Sequence, residues 1–319
     1  MKPAVVLVIA MCSVVQALAA RSWTVALNSQ LDQAHAVNDT RWRLPSLRHN
    51  VPLTDWFNRS DNQWYSTISI GTPPQNLTVL FDTGYGDLII PQSNCTTCGE
   101  HTLFNPNNSS SFSAIPNGSI MVLFGTGADS VPLSEEETAS GNIVYDRVAI
   151  GPLKYDDQAF ILCDKYTSAL SSMPIDGIMG LSPMNVTDLD EPSFFWNLWK
   201  SGQLQSPVFS LYMPADNASG AEITLGDSDP DKYDGAITWV DLDPVAFRKW
   251  NTWVFGQSAV YANGKLLSKW TGPTTSSPDG HSAILDTGTA FIQTPDFATA
   301  SAIYAALSPQ IRMIDPAGA

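Results

Sequence analysis

Leu80-Phe81-Asp82-Thr83-Gly84 and Ile284-Leu285-Asp286-Thr287-Gly288 are two copies of one pattern, an apolar pair followed by Asp-Thr-Gly, set 204 positions apart (286 − 82) in a chain of 319 residues. A single Asp-Thr-Gly after a strand is most often a turn whose Asp caps backbone N–H groups. At average residue usage, one such tripeptide arises by chance in roughly one chain of this length in fifteen, and two in about a few per thousand. The repetition therefore points to two matching loops. Carboxylates held in contact cannot both ionise, so the pair shares a proton: one acts as base toward a water while the other polarises a carbonyl. Hydrolysis without a metal or covalent nucleophile needs those two roles, which makes Asp82 and Asp286 the candidate catalytic residues. Gly84 and Gly288 would let the loops approach where a Cβ would clash, and the Thr83 and Thr287 hydroxyls could bond from one loop to the other.

Outward from these motifs, the chain reads as short β-rich runs broken by Gly, Pro, Asn and Asp. Tyr65 to Ile70 alternates with period two and stops at Gly71-Thr72-Pro73-Pro74, and Asn76 to Phe81 forms a strand running into Asp82. Further strands are expected at Ile120 to Phe124, Asn142 to Ile150, Gln158 to Leu162, Val208 to Met213, Glu222 to Leu225, Ala236 to Leu242, Trp253 to Tyr261 and Ser282 to Leu285. Helices are expected only at Ser193 to Ser201 and Pro295 to Leu307, both as surface helices packed on sheet. The regular spacing predicts an all-β architecture.

The first twenty residues carry one early charge, Lys2, an apolar stretch from Ala4 to Val15, and small residues at Ala17, Ala19 and Ala20. The apolar run is shorter than the ~20 residues that span a bilayer. Residues 1–20 therefore read as a secretory signal peptide, and no later stretch is apolar enough for an anchor. Of a net charge of −15, the residues before Ser60 contribute six basic against three acidic, and the remainder 10 basic against 28 acidic. An acidic body disfavours nucleic acid and anionic membrane surfaces as partners. The basic leader, residues 21–55, is expected to be a pro-segment whose arginines pair with carboxylates and let go as these protonate in acid. A solvated N-terminal arm is the plainer alternative. Asn-X-Ser/Thr acceptors at Asn38, Asn58, Asn76, Asn94, Asn107, Asn108, Asn117, Asn185 and Asn217 fit N-linked glycosylation.

Cys12 would leave with the signal peptide. Cys95-Thr96-Thr97-Cys98 reads as a small disulfide loop, a redox motif, or half a metal site with His101 as third ligand; no fourth ligand or second Cys pair stands beside it. Cys163 is left over, as a buried free thiol or one whose partner lies elsewhere. Neither a metal nor a cofactor is expected.

The order of motifs resembles the pepsin-type aspartic proteases. Gly71-Thr72-Pro73-Pro74-Gln75 precedes the first aspartate as in that family, and Cys95 and Cys98 follow where the family has a small disulfide loop. Asp176-Gly177-Ile178-Met179-Gly180-Leu181 is similar to the strand that crosses behind the first catalytic loop, which makes Ile178, Met179 and Gly180 the backing strand. Phe124-Gly125-Thr126-Gly127 falls at the position of the flap that covers substrate. Phe194 to Leu204, Pro207 to Tyr212 and Ile223 to Gly226 match the run into the second lobe. The resemblance covers about Trp64 to Ala319. It implies a bilobal fold with a pseudo-twofold axis: an N-terminal lobe over residues 56–230 and a C-terminal lobe over 231–319. It implies an acid endopeptidase acting on extended peptide or protein substrates, secreted or alternatively vacuolar, and monomeric, with Thr83, Gly84, Thr287, Gly288 and Thr289 supporting the dyad.

Three positions depart from the family pattern. Tyr85 stands where a serine usually follows Asp-Thr-Gly, Phe124 replaces the usual flap tyrosine, and Ile89 replaces the tryptophan that bonds it. Losing both ends of a hydrogen bond leaves no orphan donor, so packing alone is expected to hold the flap. Glu135, Glu136 and Glu137 lengthen the flap region. Only 33 residues (319 − 286) follow the second aspartate, without a second apolar-apolar-Gly strand, so the second lobe is expected to be incomplete and the chain as written a poor catalyst. A non-catalytic homologue serving as a binding or inhibitory module is the competing expectation.

Overall fold

The computed structural model of the protein describes residues 4–10, 15–21, 27–28, 48–57, 61–124, 137–183, 188–214, 220–240, 242–243, 247, 252–256, 259–262, 265–269, 282–289 and 297–307. Strands dominate. In chain order they begin with β1 (Ala4–Ala10), β2 (Val15–Arg21), β3 (Leu27–Asn28) and β4 (His49–Pro52). The main body follows: β5 (Thr54–Phe57), β6 (Asp61–Ile70), β7 (Gln75–Asp82), β8 (Leu88–Pro91), β9 (Ser113–Phe124), β10 (Glu137–Ile150), β11 (Leu153–Tyr166) and β12 (Gly177–Gly180). These eight form one sheet in the order β5-β6-β7-β12-β8-β11-β10-β9.

Alternation explains β6, where Ile68 and Ile70 are buried and Thr67 is exposed. In β7 the alternation gives way to continuous burial from Val79 to Asp82, because that end lies deep in the sheet between β6 and β12. The strand β12 runs parallel to β7, with Ile178 opposite Leu80 and Gly180 opposite Asp82, and antiparallel to β8. Residues 83–87 must therefore arch over the end of β12 to connect β7 with β8. A Cβ on Gly180 would collide with the backbone of Gly86 and stand 2.6 Å from the Asp87 nitrogen, so only glycine fits under the arch.

A six-stranded sheet, ordered β15-β2-β1-β13-β14-β4, contains β13 (Val208–Pro214), β14 (Glu222–Leu225) and β15 (Trp239–Val240) beside the N-terminal strands. Both β1 and β2, the stretch read as a signal peptide, pair in this sheet, β1 lying antiparallel to β13 from Ala4 opposite Pro214 to Ala10 opposite Val208. Residue 55, the expected end of the pro-segment, falls inside β5, and β4 pairs with β14. The remaining strands are β16 (Val254–Gly256), β17 (Ala259–Ala262), β18 (Lys265–Lys269) and β19 (Ser282–Ile284), with β16 paired to β19.

Helices are α1 (Ser168–Ser172), α2 (Phe194–Lys200) and α3 (Phe297–Leu307). The expectation that the Ser193 to Ser201 helix lies on the surface is corrected. Phe194, Phe195, Trp196, Asn197 and Leu198 of α2 are all buried, with the Phe195 ring 5.1 Å from Phe209 and the Asn197 amide bonded to Gln158 at 2.9 Å. A seven-residue helix that is apolar around most of its girth is a core element. The strand expected from Trp253 to Tyr261 is two, β16 and β17, and that from Ala236 to Leu242 shrinks to two residues. The chain is an all-β protein with a few helices.

Candidate active site

The two Asp-Thr-Gly loops meet. Thr83 donates its hydroxyl to the Leu285 carbonyl at 2.8 Å and receives the Thr287 N–H at 3.0 Å. Thr287 mirrors it, donating its hydroxyl to the Phe81 carbonyl at 2.6 Å and accepting the Thr83 N–H at 3.1 Å. Four bonds thus lock segments from opposite parts of the chain. Within each loop the aspartate accepts the glycine N–H two residues on: Gly84 to Asp82 at 2.7 Å and Gly288 to Asp286 at 2.8 Å. A Cβ on Gly84 would lie 2.6 Å from the Asp286 carboxyl carbon, and one on Gly288 would lie 2.5 Å from that of Asp82. Each glycine is the gap that admits the opposite carboxyl group.

Electrostatics follow from this contact. Burial, then the Asp286 charge and a hydrogen bond with Asp286, push the Asp82 carboxyl well above its ordinary value, against the Gly84 and Tyr85 N–H donors that favour its charged form. One proton held between two carboxyl groups is the resting state of a pair that can both accept and give a proton. The surroundings of the two acids differ. Asp82 is buried at the end of β7 with β12 beside it, while Asp286 is exposed and takes a further bond from the Thr289 hydroxyl at 2.6 Å.

The residues expected to back the site lie against it. Ile178, Met179 and Gly180 form β12, and the Leu181 N–H continues the contact by donating to the Asp82 carbonyl at 2.7 Å. Phe124 ends β9, opposite Glu137 of β10; Gly125, Thr126, Gly127, Glu135 and Glu136 lie outside the described residues. Cys95 and Cys98 are joined by a disulfide, which removes them as metal ligands, and Cys163 is a buried free thiol. Among the described residues, no cluster of three or more His, Cys, Asp or Glu could hold a metal.

Three supporting residues and one strand escape sequence reasoning. Gln63 of β6, almost fully buried, donates its amide N–H to the Gly288 carbonyl at 2.8 Å and so ties the first sheet to the second loop. Asp176, just before β12, accepts the Thr78 N–H at 2.7 Å and hydroxyl at 2.9 Å and the Thr102 N–H at 2.7 Å, fastening β7 from below. Trp253 donates its indole N–H to the Leu181 carbonyl at 2.8 Å, while its own carbonyl accepts the Leu285 N–H at 3.0 Å. The short run Leu88–Pro91, which forms the wholly buried β8, has too few residues to show a period. Asp176 alone had a local signal, as the first residue of Asp176-Gly177-Ile178-Met179-Gly180.

Comparison with known proteins agrees with this geometry. The family model described as eukaryotic aspartyl protease matches residues 63–313, a span that includes both loops. Pepsin-3 of Oryctolagus cuniculus is 31% identical over 267 residues, covering 82% of this chain and 63% of that protein. Pepsin A of Canis lupus familiaris is 32% identical over 247 residues (76% and 58%), and Pepsin A of Bos taurus is 31% identical over 253 (78% and 61%). The chain spans about three fifths of the length of these relatives. Reciprocal Asp-Thr-Gly loops that bring their carboxyl groups together, and a family match across most of the sequence, lead to one assignment: the chain belongs to the eukaryotic aspartyl protease family.

Proposed function

We propose that the protein is an aspartic endopeptidase that hydrolyses peptide bonds in acid through a water activated between Asp82 and Asp286. The observation that carries this reading is the mutual placement of the carboxyl groups, each filling the space left by the other loop's glycine. The pH dependence follows from Asp82. Its carboxyl is raised above the ordinary value, so it holds a proton at pH values where a free aspartate is ionised. The stability that Asp82 contributes by holding this proton is complete below the ordinary value and is lost as pH rises through the raised one, when Asp82 ionises beside Asp286. Activity should therefore peak in acid and fall toward neutrality. Cleavage of an unfolded protein substrate at about pH 3 to 5, with Asp82→Asn and Asp286→Asn as controls, tests this; each substitution should cost roughly 10²-fold to 10⁴-fold or more. Equal cleavage by wild type and both variants would sink the reading.

The substrate is read as an extended peptide, with the chain acting as a monomer. Phe124, Gly125, Thr126 and Gly127 are read as the flap over it, and Thr83, Gly84, Thr287, Gly288 and Thr289 as the supports of the dyad. Residues 1–20 are read as a secretory leader, giving a secreted protein. Asn76, Asn94, Asn107, Asn108 and Asn117 are all exposed, which supports N-linked glycans; the remaining acceptors lie outside the described residues.

Residues 21–55 are read as the pro-segment. In support, Arg48 pairs with Asp229 at 3.2 Å and Asn50 donates to it at 2.7 Å. Burial acts upward on Asp229, but the Asp231 N–H, a hydrogen bond with Glu222, Arg48 and Asn50 together hold its carboxyl below the ordinary value. A lowered carboxyl stabilises above its ordinary value and ceases to as pH falls through the lowered one, so this attachment weakens in acid. The competing reading, a non-catalytic binding module, draws on the exposure of Asp286 and predicts peptide binding without cleavage.

A further inference from the structure

Tyr85, at the position where the serine was expected, reaches in two directions. Its main-chain N–H bonds the Asp82 carboxyl, and its main-chain carbonyl accepts the Ser182 N–H at 2.9 Å. Its phenol O–H donates to Asp188 at 2.9 Å, in the turn ahead of α2, and also lies in hydrogen-bonding contact with Asp87. Asp87, in the same arch as Tyr85, is only 2% exposed. Its carboxyl accepts the Asp188 N–H at 2.7 Å and a second main-chain N–H from Leu189, while its carbonyl accepts the Gly180 N–H at 2.9 Å. One phenol and two acids therefore join the arch over β12 to the turn at 188–189, and a main-chain bond links that cluster to the dyad.

We propose that Tyr85 and Asp87 are positioning residues of the first catalytic loop, forming a proton-dependent clamp that fastens the arch at 83–87 to the turn at Asp188 and Leu189. The proposal rests on the aspartic protease reading for its effect on catalysis, though not for the clamp itself. The cluster is made of acids. Tyr85 and Asp188 face Asp87, Asp190 and Glu191 follow in the same turn, and Glu191 accepts the Tyr145 hydroxyl at 3.1 Å. Among the described residues, Asp87 and Asp188 make no ion pair with a Lys, Arg or His.

Among the described residues, protonation is what neutralises such a cluster. Burial first, and then the Asp188 charge, push the Asp87 carboxyl up to about 7, outweighing the opposing hydrogen bonds from the Asp188 N–H, the Tyr85 hydroxyl and the Leu189 N–H. Burial and the two acids push the Tyr85 phenol upward as well, so it remains a donor throughout. With Asp87 neutral, the turn is held by hydrogen bonds alone. Once it ionises, two carboxylates face each other across one phenol proton, and the turn is driven off the arch. A raised carboxyl contributes stability that is complete below its ordinary value of 3.8 and is lost as pH rises through about 7.

The test uses the full chain and two variants with opposite expectations. In Asp87→Asn the carboxamide keeps the shape without the charge, so the fall in thermal midpoint between about pH 5 and 8 should shrink by about 5 °C relative to wild type. In Tyr85→Phe the donor that favoured the charged form is gone, so the fall should extend to higher pH. Melting curves that run parallel to wild type in both variants overturn the clamp, whatever the activity. In the cleavage assay Tyr85→Phe should lower kcat about tenfold with KM unchanged, and Asp87→Asn should move the neutral limb of the profile to higher pH. Unmoved kcat and limb in an active protein overturn the positioning role. A wild-type chain without acid cleavage removes the protease reading, and the melting series still decides the clamp.

Discussion

The two halves of the site make the same hydrogen bonds from unequal foundations. Asp82 ends β7, buried and flanked by β6 and β12 inside an eight-stranded sheet. Asp286 follows β19, three residues paired to β16, and is exposed. Yet each aspartate takes its glycine N–H, and each threonine crosses to the other loop. Local sequence dictates the loop and its partner fixes it, so a repeat of five residues can be symmetric where its surroundings are not. The second loop is steadied from outside itself, by Thr83 of the first loop, by Gln63 of β6 and by the Trp253 carbonyl just ahead of β16.

That asymmetry is most exposed by methyl groups at the two glycines. Gly288→Ala would press against buried Asp82, which has no room to yield, and kcat/KM should fall roughly 10²-fold, the cost of displacing a reacting group by an ångström. Gly84→Ala would press against exposed Asp286, which can swing into solvent, and the loss should be nearer about 10-fold. Equal losses would mean that the foundations are equivalent. The threonines should separate next, by denaturant unfolding. Thr83 is fully buried, so Thr83→Val leaves the Thr287 N–H and the Leu285 carbonyl unpaired at a cost of about 3 kcal/mol. Thr287 is half-buried, and Thr287→Val should cost about 1 to 2 kcal/mol because water can replace part of what is lost. The smallest effect expected is from Gln63→Ala, about 1 kcal/mol for the freed Gly288 carbonyl, read as a lowered unfolding midpoint. A larger drop there would show that the second loop leans on β6 more than on Thr83.

Most of the sheet was legible because alternation and turn residues mark strand ends. Ile68 and Ile70 announce β6, and Gly71-Thr72-Pro73-Pro74 stops it before the β7 register starts at Gln75. The meeting of the two Asp-Thr-Gly loops was legible because the motif repeats. Partners made by packing were not, since Gln63, Asp87 and Asp188 carry no periodic or motif signal and acquire their roles only when distant segments meet. Misreading α2 has the same cause. Phe194, Phe195, Leu198 and Trp199 mark an apolar face, but the burial of Asn197 depends on Gln158 and the Pro192 carbonyl, contacts outside any helical window. Compartment and resemblance favour the joining of Cys95 to Cys98, while Cys163 is a buried free thiol.

The crossed threonines also bear on when activity can arise. They join residues 204 positions apart, and closing so long a loop costs about 5 kcal/mol of chain entropy before any contact repays it. Until that closure the two aspartates stand apart, and the division of labour proposed for them has no basis. If the proposed protease reading holds, a nascent or half-folded chain is thus harmless to itself and to its neighbours. Under the proposed protease reading, cutting ability is a report that distant parts of the chain have found one another, and contacts of such long sequence separation are the slow ones to form.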